Sequence, residues 1–180
     1  VHEYITSVGD TELIIAVPGG YIYSVDSSGT AISIYTAGDW SSAQWKAVNF
    51  NNKCYFFQRG HTPLVYDGTS CIKITTAGAY TGTVQTAHAV LAAFGRLWSG
   101  DTLTDKITVK WSDTLIGEAW TGGAAGSLDL NTVYGAGVRP ITALASFNGK
   151  LVIFCDKTII LYDGADDPST MTLSDVIHGV

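Results

Sequence analysis

A unit of short apolar segments that ends in an aspartate recurs four times along this 180-residue chain, and this repeat constrains the fold more than any other feature. The four aspartates are Asp26, Asp67, Asp113 and Asp163, and subtracting successive numbers gives intervals of 41, 46 and 50 residues. Intervals of about 40 to 50 residues match one four-stranded blade of a β-propeller. The repeat therefore predicts an array of small sheets.

Two of the units are close copies of each other. Residues 50–57 (FNNKCYFF) lead to residues 64–68 (LVYDG), and residues 147–154 (FNGKLVIF) lead to residues 159–164 (IILYDG). Looser copies occupy residues 4–26, where the first strand candidate is Tyr4 to Val8, and residues 89–113. A further strand candidate follows each aspartate, which predicts four strands per unit. These candidates are Ala31 to Tyr35, Cys71 to Thr75, Ser127 to Leu130 and Met171 to Ser174.

The segments have the composition of strands joined by tight turns. They are rich in Val, Ile, Tyr, Phe and Thr and are bounded by Gly- and Asn-containing pairs. No long stretch shows helical periodicity of its apolar residues. We therefore predict an all-β chain of β-propeller blades, each with four antiparallel strands, in approximate repeats at 1–46, 47–86, 87–138 and 139–180. Because four blades is the lower limit for a closed propeller, we interpret residues 1–180 as part of a larger propeller.

Turn formation explains the recurring aspartates and the glycines that follow two of them. An Asp side chain starts a turn by accepting hydrogen bonds from nearby backbone amides, and Gly tolerates a positive φ. These residues therefore need no catalytic role. The predicted turn residues are Asp26, Asp67, Gly68, Asp113, Asp163 and Gly164.

The sequence contains no motif that indicates catalysis, a cofactor or a metal ion. Neither a Gly-x-Ser-x-Gly elbow nor a Gly-x-x-x-x-Gly-Lys phosphate loop occurs, and the four histidines lack the spacing of zinc ligands. Asp163, Asp166 and Asp167 do not follow the calcium-loop pattern. Cys54 and Cys155 occupy apolar strand positions, which predicts buried thiols in a protein made in a reducing cytoplasm. We predict that the protein is not an enzyme.

The charge balance and the aromatic residues bear on possible partners. The net charge of −6 argues against nucleic-acid binding through clustered basic residues, although an acidic surface suits DNA that must slide past without sticking. Trp98 and Trp111 fall in predicted strands and are expected in the core. The strand residues predicted to be largely buried are Leu97, Trp98, Val109, Leu151, Ile153, Ile159 and Leu161. Residues in connecting segments are candidate interface residues. They are Trp40, Trp45, Trp120 and His61.

Part of the chain resembles a known family. The resemblance is carried by the Trp-Ser-Asp of residues 111–113, by Trp120, by residues 127–130, by residues 141–154 (ITALASFNGKLVIF) and by residues 158–168 (TIILYDGADDP). This pattern resembles the β-propeller part of the tail nozzle, hub or DNA-stabilisation proteins of short-tailed bacteriophages. The resemblance covers about residues 48–180. The matched scaffold positions are Ser112, Trp120, Leu151 and Gly164.

The resemblance implies a structural virion protein that is assembled in the host cytoplasm and forms a ring of copies about the tail axis. Such a protein extends the DNA conduit, retains packaged DNA and docks a tail adaptor and tail fibre or spike proteins, with no membrane partner. The alternative is a propeller that binds or processes a ligand or glycan, with a site built from equivalent loops; Arg59, Arg96 and Arg139 lie in non-equivalent contexts. A third interpretation is a cytoplasmic scaffold propeller.

Overall fold

The computed structural model describes residues 1–37, 44–75, 85–134 and 140–179. These residues form four antiparallel sheets, and each sheet consists of four strands in the order in which they follow along the chain. The helix in the described part of the chain is the short α1 (Leu130–Tyr134). The prediction of an all-β chain with four-stranded antiparallel units is therefore confirmed.

The four sheets are numbered in chain order. Sheet 1 contains β1 (His2–Ile5), β2 (Thr11–Val17), β3 (Tyr21–Val25) and β4 (Ala31–Tyr35). Sheet 2 contains β5 (Lys46–Phe50), β6 (Lys53–Phe57), β7 (Leu64–Tyr66) and β8 (Cys71–Lys73). Sheet 3 contains β9 (Ala89–Ala93), β10 (Arg96–Gly100), β11 (Thr108–Trp111) and β12 (Gly126–Asp129). Sheet 4 contains β13 (Ile141–Phe147), β14 (Lys150–Cys155), β15 (Thr158–Asp163) and β16 (Thr172–His178).

The hairpin between the first and second strands has the same geometry in sheets 2, 3 and 4. Its two turn residues both have positive φ: 47° and 59° at Asn51-Asn52, 55° and 66° at Phe94-Gly95, and 48° and 77° at Asn148-Gly149. Two consecutive residues of positive φ define a type I′ turn, whose twist matches that of the flanking strands. Asn and Gly adopt this conformation readily, so these pairs fix the register of three hairpins.

The first strand begins earlier than the sequence pattern predicts. The pattern places a strand at residues 4–8, whereas β1 covers His2–Ile5. The Thr6 amide donates to the Asp10 carbonyl at 2.8 Å and Gly9 has a φ of 91°, so the chain has already turned toward β2.

Successive sheets pack face to face and enclose three hydrophobic cores. The core between sheets 1 and 2 contains Tyr4, Ile14, Ile22, Tyr35, Cys54, Phe56, Leu64 and Tyr66. The core between sheets 2 and 3 contains Tyr55, Phe57, Val65, Ile74, Leu97 and Trp120. The core between sheets 3 and 4 includes Trp98, Val109, Trp111, Leu130, Ile141, Leu151, Ile153, Ile160 and Tyr162. Sheets 2 and 3 are therefore covered on both faces, and sheets 1 and 4 form the two ends of a stack.

The first strands of the sheets follow one another along the same side of the stack. Strand β1 contacts β5, β5 contacts β9, and β9 contacts β13. Each sheet then extends away from this row through its second, third and fourth strands. The four units are thus arranged in chain order about one common edge.

Most of the residues predicted to be buried are in the core. Five of them lie in strands and have no exposed surface: Leu97, Trp98, Val109, Leu151 and Ile153. Ile159 and Leu161 lie in β15 as predicted, but they are less completely buried than the other five. Side chains alternate between the faces of a strand, and in β15 Ile160 and Tyr162 point toward sheet 3.

Candidate functional site

The carboxylates of Asp26 and Asp67 organise the turn between the third and fourth strands of their sheets. Asp26 Oδ1 accepts hydrogen bonds from the Ser28 and Thr30 amides, both at 2.9 Å. Asp67 Oδ1 accepts from the amides of residues 69 and 70, at 2.9 and 2.8 Å, and the intervening Gly68 has a φ of 91°. The Ser28 hydroxyl also donates to Asp26 Oδ1, at 2.6 Å. This bond at Asp26 and the amide bonds at both residues favour the charged form, so both carboxyl pKa values lie below the ordinary 3.8.

Asp113 and Asp163 occupy the corresponding places in sheets 3 and 4 with different partners. Asp113 Oδ1 accepts from the amides of Ala124 at 2.9 Å and Thr114 at 2.7 Å, and these bonds lower its pKa. Asp163 departs from the expected backbone bonding: it is the last residue of β15, and its carboxylate contacts the ammonium of Lys150, which lowers its pKa. Gly164 follows with a φ of 75°.

The candidate interface residues have different environments. The prediction that Trp120 is an interface residue is wrong, because Trp120 is only 5% exposed and belongs to the core between sheets 2 and 3. Trp45 is half-buried and packs edge-on against Phe56, with ring centroids 6.1 Å apart. His61 is partly exposed and its amide donates to the Gln58 carbonyl at 3.0 Å. Trp40 lies outside the described residues.

The core tryptophans and the cysteines follow expectation. Trp98 and Trp111 are buried, with ring centroids 5.3 Å apart. All three cysteines are free; Cys54 and Cys155 are buried, and Cys71 is half-buried. Burial raises the pKa of Cys71 to about 12 and that of Cys155 to about 11. These thiols are therefore protonated at neutral pH, which makes them poor nucleophiles.

A polar cluster lies where sheets 2 and 3 meet, beside the starts of β5 and β9. The Arg59 guanidinium, just after β6, forms an ion pair with the Asp101 carboxylate, just after β10. The Asp101 side chain is 3% exposed and that of Arg59 is 43% exposed. His88, just before β9, donates its backbone amide to the Asp101 carbonyl at 3.1 Å. These three residues are named the Arg59–Asp101–His88 cluster.

The cluster borders a cavity of about 310 Å³. Gln44, Gln58, Arg59 and His88 line this cavity, and Gln58 is buried. Burial and the neighbouring Arg59 charge lower the pKa of His88, which keeps its imidazole neutral at pH 7. A guanidinium beside a neutral imidazole offers a polar ligand hydrogen-bond donors and an acceptor. The arrangement is therefore a candidate site for such a ligand.

The same junction carries a second ion pair at the other end of β6. Lys53 Nζ lies 2.6 Å from Glu118 Oε1, and the Glu118 side chain is almost wholly buried. Beside it, Asn51 Nδ2 donates to the Leu115 carbonyl at 2.8 Å. The two ion pairs hold sheet 2 against sheet 3 at both ends of β6, so a structural role accounts for much of the Arg59–Asp101 contact as well.

Sequence reasoning did not identify this cluster. The sequence pattern groups Arg59 only with Arg96 and Arg139, and it indicates no role for Asp101 or His88. A positional signal exists: Arg59 and Asp101 each come within two residues of the end of a second strand, in successive sheets. Side chains at equivalent ends of neighbouring sheets converge, but only the packing of sheet on sheet shows which of them meet.

Sheets 1 and 2 share a second polar network away from the row of first strands. Ser24 Oγ and the Tyr66 hydroxyl both donate to Glu12 Oε2, the latter over 3.1 Å. Burial and the hydrogen-bonded Glu12 raise the pKa of Tyr66. The network borders a groove of about 320 Å³ that Asp26 and Thr30 also line. It links the two sheets through neutral hydroxyls and one carboxylate.

The described residues bring together no group of three or more His, Cys, Asp or Glu side chains that could hold a metal ion. No helix in the described ranges has the length and apolar character needed to cross a membrane. Comparison with models of known protein families found no matching family, and comparison with curated proteins found no match.

Proposed function

We propose that the four sheets are consecutive blades of a larger β-propeller and that the protein is a structural component of a bacteriophage tail, as a nozzle or hub. The observation that carries the proposal is the resemblance of residues 111–168 to short-tailed phage proteins, which falls on scaffold positions. Ser112, Trp120 and Leu151 are buried, and Gly164 has a positive φ. Leu151 belongs to the core between sheets 3 and 4 and Trp120 to the core between sheets 2 and 3, so the likeness lies in the architecture.

In this role the protein acts by docking and by forming part of a wall, with no covalent step and no cofactor. Copies of the protein form a ring about the tail axis, extend the DNA conduit and retain the packaged DNA. The ring docks a tail adaptor and tail fibre or spike proteins, and it has no membrane partner. The net charge of −6 supports a conduit that DNA passes without sticking, because like charge opposes nonspecific binding. The protein is assembled in the host cytoplasm and resides in the virion.

Immunogold electron microscopy of virions from the phage that encodes the chain tests this proposal. Antibodies raised against the purified chain are expected to place gold at the tail, either at its tip or along its outer wall. The matched control is the same antibody preincubated with excess chain, which should remove the label. Virions whose tails carry no specific label would refute the tail assignment.

A second candidate function is a ligand- or glycan-binding propeller, and the Arg59–Asp101–His88 cluster favours it. The cluster places a guanidinium and a neutral imidazole beside a cavity of about 310 Å³. Calorimetric titration with a panel of neutral and acidic oligosaccharides tests it, comparing the unaltered chain with Arg59→Met. We expect saturable binding to the unaltered chain and no binding to Arg59→Met. The control variant Lys106→Met, which changes an exposed residue, should bind as the unaltered chain does. Heat changes that are equal in all three proteins would eliminate this candidate.

A further inference from the structure

A basic residue opens the second strand in three of the four sheets. Lys53, Arg96 and Lys150 each follow a type I′ turn and are the first residues of β6, β10 and β14. Lys53 forms an ion pair with the carboxylate of Glu118, and Lys150 with that of Asp163. Among the described residues, no carboxylate forms an ion pair with Arg96. Within this part of the chain, the repeated position therefore has a counter-charge in sheets 2 and 4 but not in sheet 3.

Arg96 is also the most buried of the three basic residues. It is only 5% exposed, whereas the side chains of Lys53 and Lys150 are 35% and 27% exposed. Its Nη1 donates to the carbonyls of Ser112 at 3.2 Å and Ala124 at 3.1 Å, while its Nε has no hydrogen-bond partner in the described ranges. Burying a guanidinium is costly unless a counter-charge and hydrogen bonds compensate it. Two carbonyls compensate this one incompletely.

Asp113 has in sheet 3 the place that Asp163 has in sheet 4, but it does not pair with Arg96. Its Oδ1 accepts from the amides of Ala124 and Thr114, and these bonds, ahead of the Arg96 charge, lower the pKa of Asp113. The Asp113 carboxylate thus organises the connection between β11 and β12. Its charge lies near Arg96 without a direct contact between the two groups.

The interface between sheets 2 and 3 shows how such a basic residue is matched from the following sheet. Glu118, in the connection between β11 and β12, places an almost wholly buried carboxylate 2.6 Å from Lys53 Nζ. The corresponding connection in sheet 4, between β15 and β16, is shorter. Its carboxylates, Asp166 and Asp167, are exposed, and neither forms an ion pair with Arg96. The described part of sheet 4 therefore supplies no equivalent of Glu118.

A cavity of about 320 Å³ lies beside Arg96, between the connections of sheets 3 and 4. Arg96, Trp111 and Ala124 line it from sheet 3, and Asp167 and Ser169 line it from sheet 4. Asp167 Oδ1 accepts from the Ser169 amide at 3.2 Å and from the Ser169 hydroxyl at 2.6 Å. Because Asp167 is exposed, water weakens the field of its charge, whereas the Arg96 charge is buried. The guanidinium therefore dominates the electrostatic field in the cavity.

We propose that this cavity binds a carboxylate group of another molecule, as Glu118 meets Lys53 one interface earlier. Carboxylates frequently pair with a guanidinium through two parallel hydrogen bonds, which add to the attraction between the charges. Two sources carry this group: a free carboxylic acid, and a Glu or Asp side chain in a segment of a partner protein. The inference goes beyond the proposed function, because it holds whether or not the chain is a tail component.

Nuclear magnetic resonance titration of the nitrogen-15-labelled chain with acetate at pH 7 tests the proposal. The reporters are the Arg96 Nε–H and the Trp111 indole N–H, which donates to the Ala124 carbonyl at 3.1 Å in the cavity wall. Both should shift saturably, with a Kd of about 1–10 mM for so small an ion. Acetamide, which has the same shape and no charge, should give no saturable shift. Equal shifts with both compounds, or no shift with acetate, would overturn the proposal.

A peptide titration separates the two sources of the carboxylate. The probe is the acetylated and amidated peptide Ile-Gly-Glu-Ala-Trp, the segment 116–120 that presents Glu118 to Lys53. The control peptide has Gln in place of Glu. Binding at least about 10-fold tighter than that of acetate supports a partner side chain, and binding no tighter supports a free acid. Equal binding of the Glu and Gln peptides would contradict recognition of a carboxylate.

Two substitutions locate the binding in the cavity. Arg96→Gln removes the charge and should weaken acetate binding by at least about 10-fold. Ser169→Trp leaves Arg96 in place and fills the cavity from an exposed position, so it should fold and abolish binding, even if Arg96→Gln does not fold. The matched control is Thr69→Trp, at an exposed turn position of sheet 2, which should bind acetate as the unaltered chain does. Unchanged affinity in folded Ser169→Trp would place the binding elsewhere and refute the inference.

Discussion

The ion pair between Arg59 and Asp101 should respond unequally to the loss of its two partners. The Asp101 side chain is 3% exposed, whereas that of Arg59 is 43% exposed. Without Arg59 the carboxylate stays buried with no cation beside it, but without the Asp101 charge the guanidinium still reaches water. Removing one partner of a fully buried pair costs about 3–5 kcal/mol, and an exposed pair contributes about 0–1 kcal/mol. The Arg59–Asp101 pair is partly buried and lies between these two cases. We therefore expect Arg59→Met to lower the free energy of unfolding by about 2–3 kcal/mol.

The reciprocal change, Asp101→Asn, should cost about 1 kcal/mol. Asn keeps the shape of the side chain and tolerates the φ of 61° that Asp101 adopts, so the backbone is preserved. Combining both changes leaves a neutral amide in place of the stranded carboxylate. The double variant should therefore be more stable than Arg59→Met alone. The effects of the two changes are then non-additive, as expected if Arg59→Met leaves a desolvated Asp101 carboxylate.

Urea unfolding followed by tryptophan fluorescence measures these differences, because Trp98, Trp111 and Trp120 are buried in the folded chain. The control is Lys106→Met at an exposed position, which should change the free energy of unfolding by no more than about 0.5 kcal/mol. Equal losses for Arg59→Met and Asp101→Asn, or a larger loss for Asp101→Asn, would refute the reasoning from burial.

Two further predictions concern packing and acid stability. Gly117→Ala should lower the free energy of unfolding by about 1–3 kcal/mol, because the new Cβ would lie 2.7 Å from Leu97 Cδ1 and from Tyr55 Cζ, and both of these side chains are buried. An unchanged midpoint of thermal unfolding would contradict this prediction. Asp67 has a folded pKa below 3.8 because the amide of Ser70 and its neighbours bind the carboxylate, so its stabilising effect is present above that pH and is lost as pH falls through the folded pKa. In Asp67→Asn, the urea midpoint of unfolding should therefore fall less between about pH 4 and pH 2 than it does in the unaltered chain. If the two proteins show the same fall in midpoint over this range, the role assigned to Asp67 is disproved.

Strand and turn chemistry made much of the local structure predictable. The pairs Asn51-Asn52 and Asn148-Gly149 interrupt apolar runs, and such pairs have few conformations open to them besides a tight hairpin. The structure places positive φ at all four residues. Asp26 and Asp67 were equally informative, because a carboxylate that precedes free backbone amides by a few residues accepts their hydrogen bonds and starts a turn. Asp113 and Asp163 have other partners, which the sequence did not indicate. These features depend on neighbours in sequence, so a single chain reveals them.

Packing between sheets was less predictable. Ile159 and Leu161 are as apolar as Ile160, yet only the last is buried, because sheet 4 meets a neighbour through one face. Trp120 lies in a connection and resembles a surface anchor, but its loop folds over sheet 2 and places the ring in the core. An apolar residue in a strand therefore predicts a strand, and it does not tell which face of the sheet is covered.

By itself the sequence determined an all-β chain, four four-stranded units and the residues that turn the chain, because these follow from local backbone preferences and from a repeat visible in one dimension. Only the tertiary structure decided that the sheets stack in chain order and that Arg59 meets Asp101. These properties arise from contacts between side chains of different sheets, which depend on the angle and register at which one sheet packs on the next.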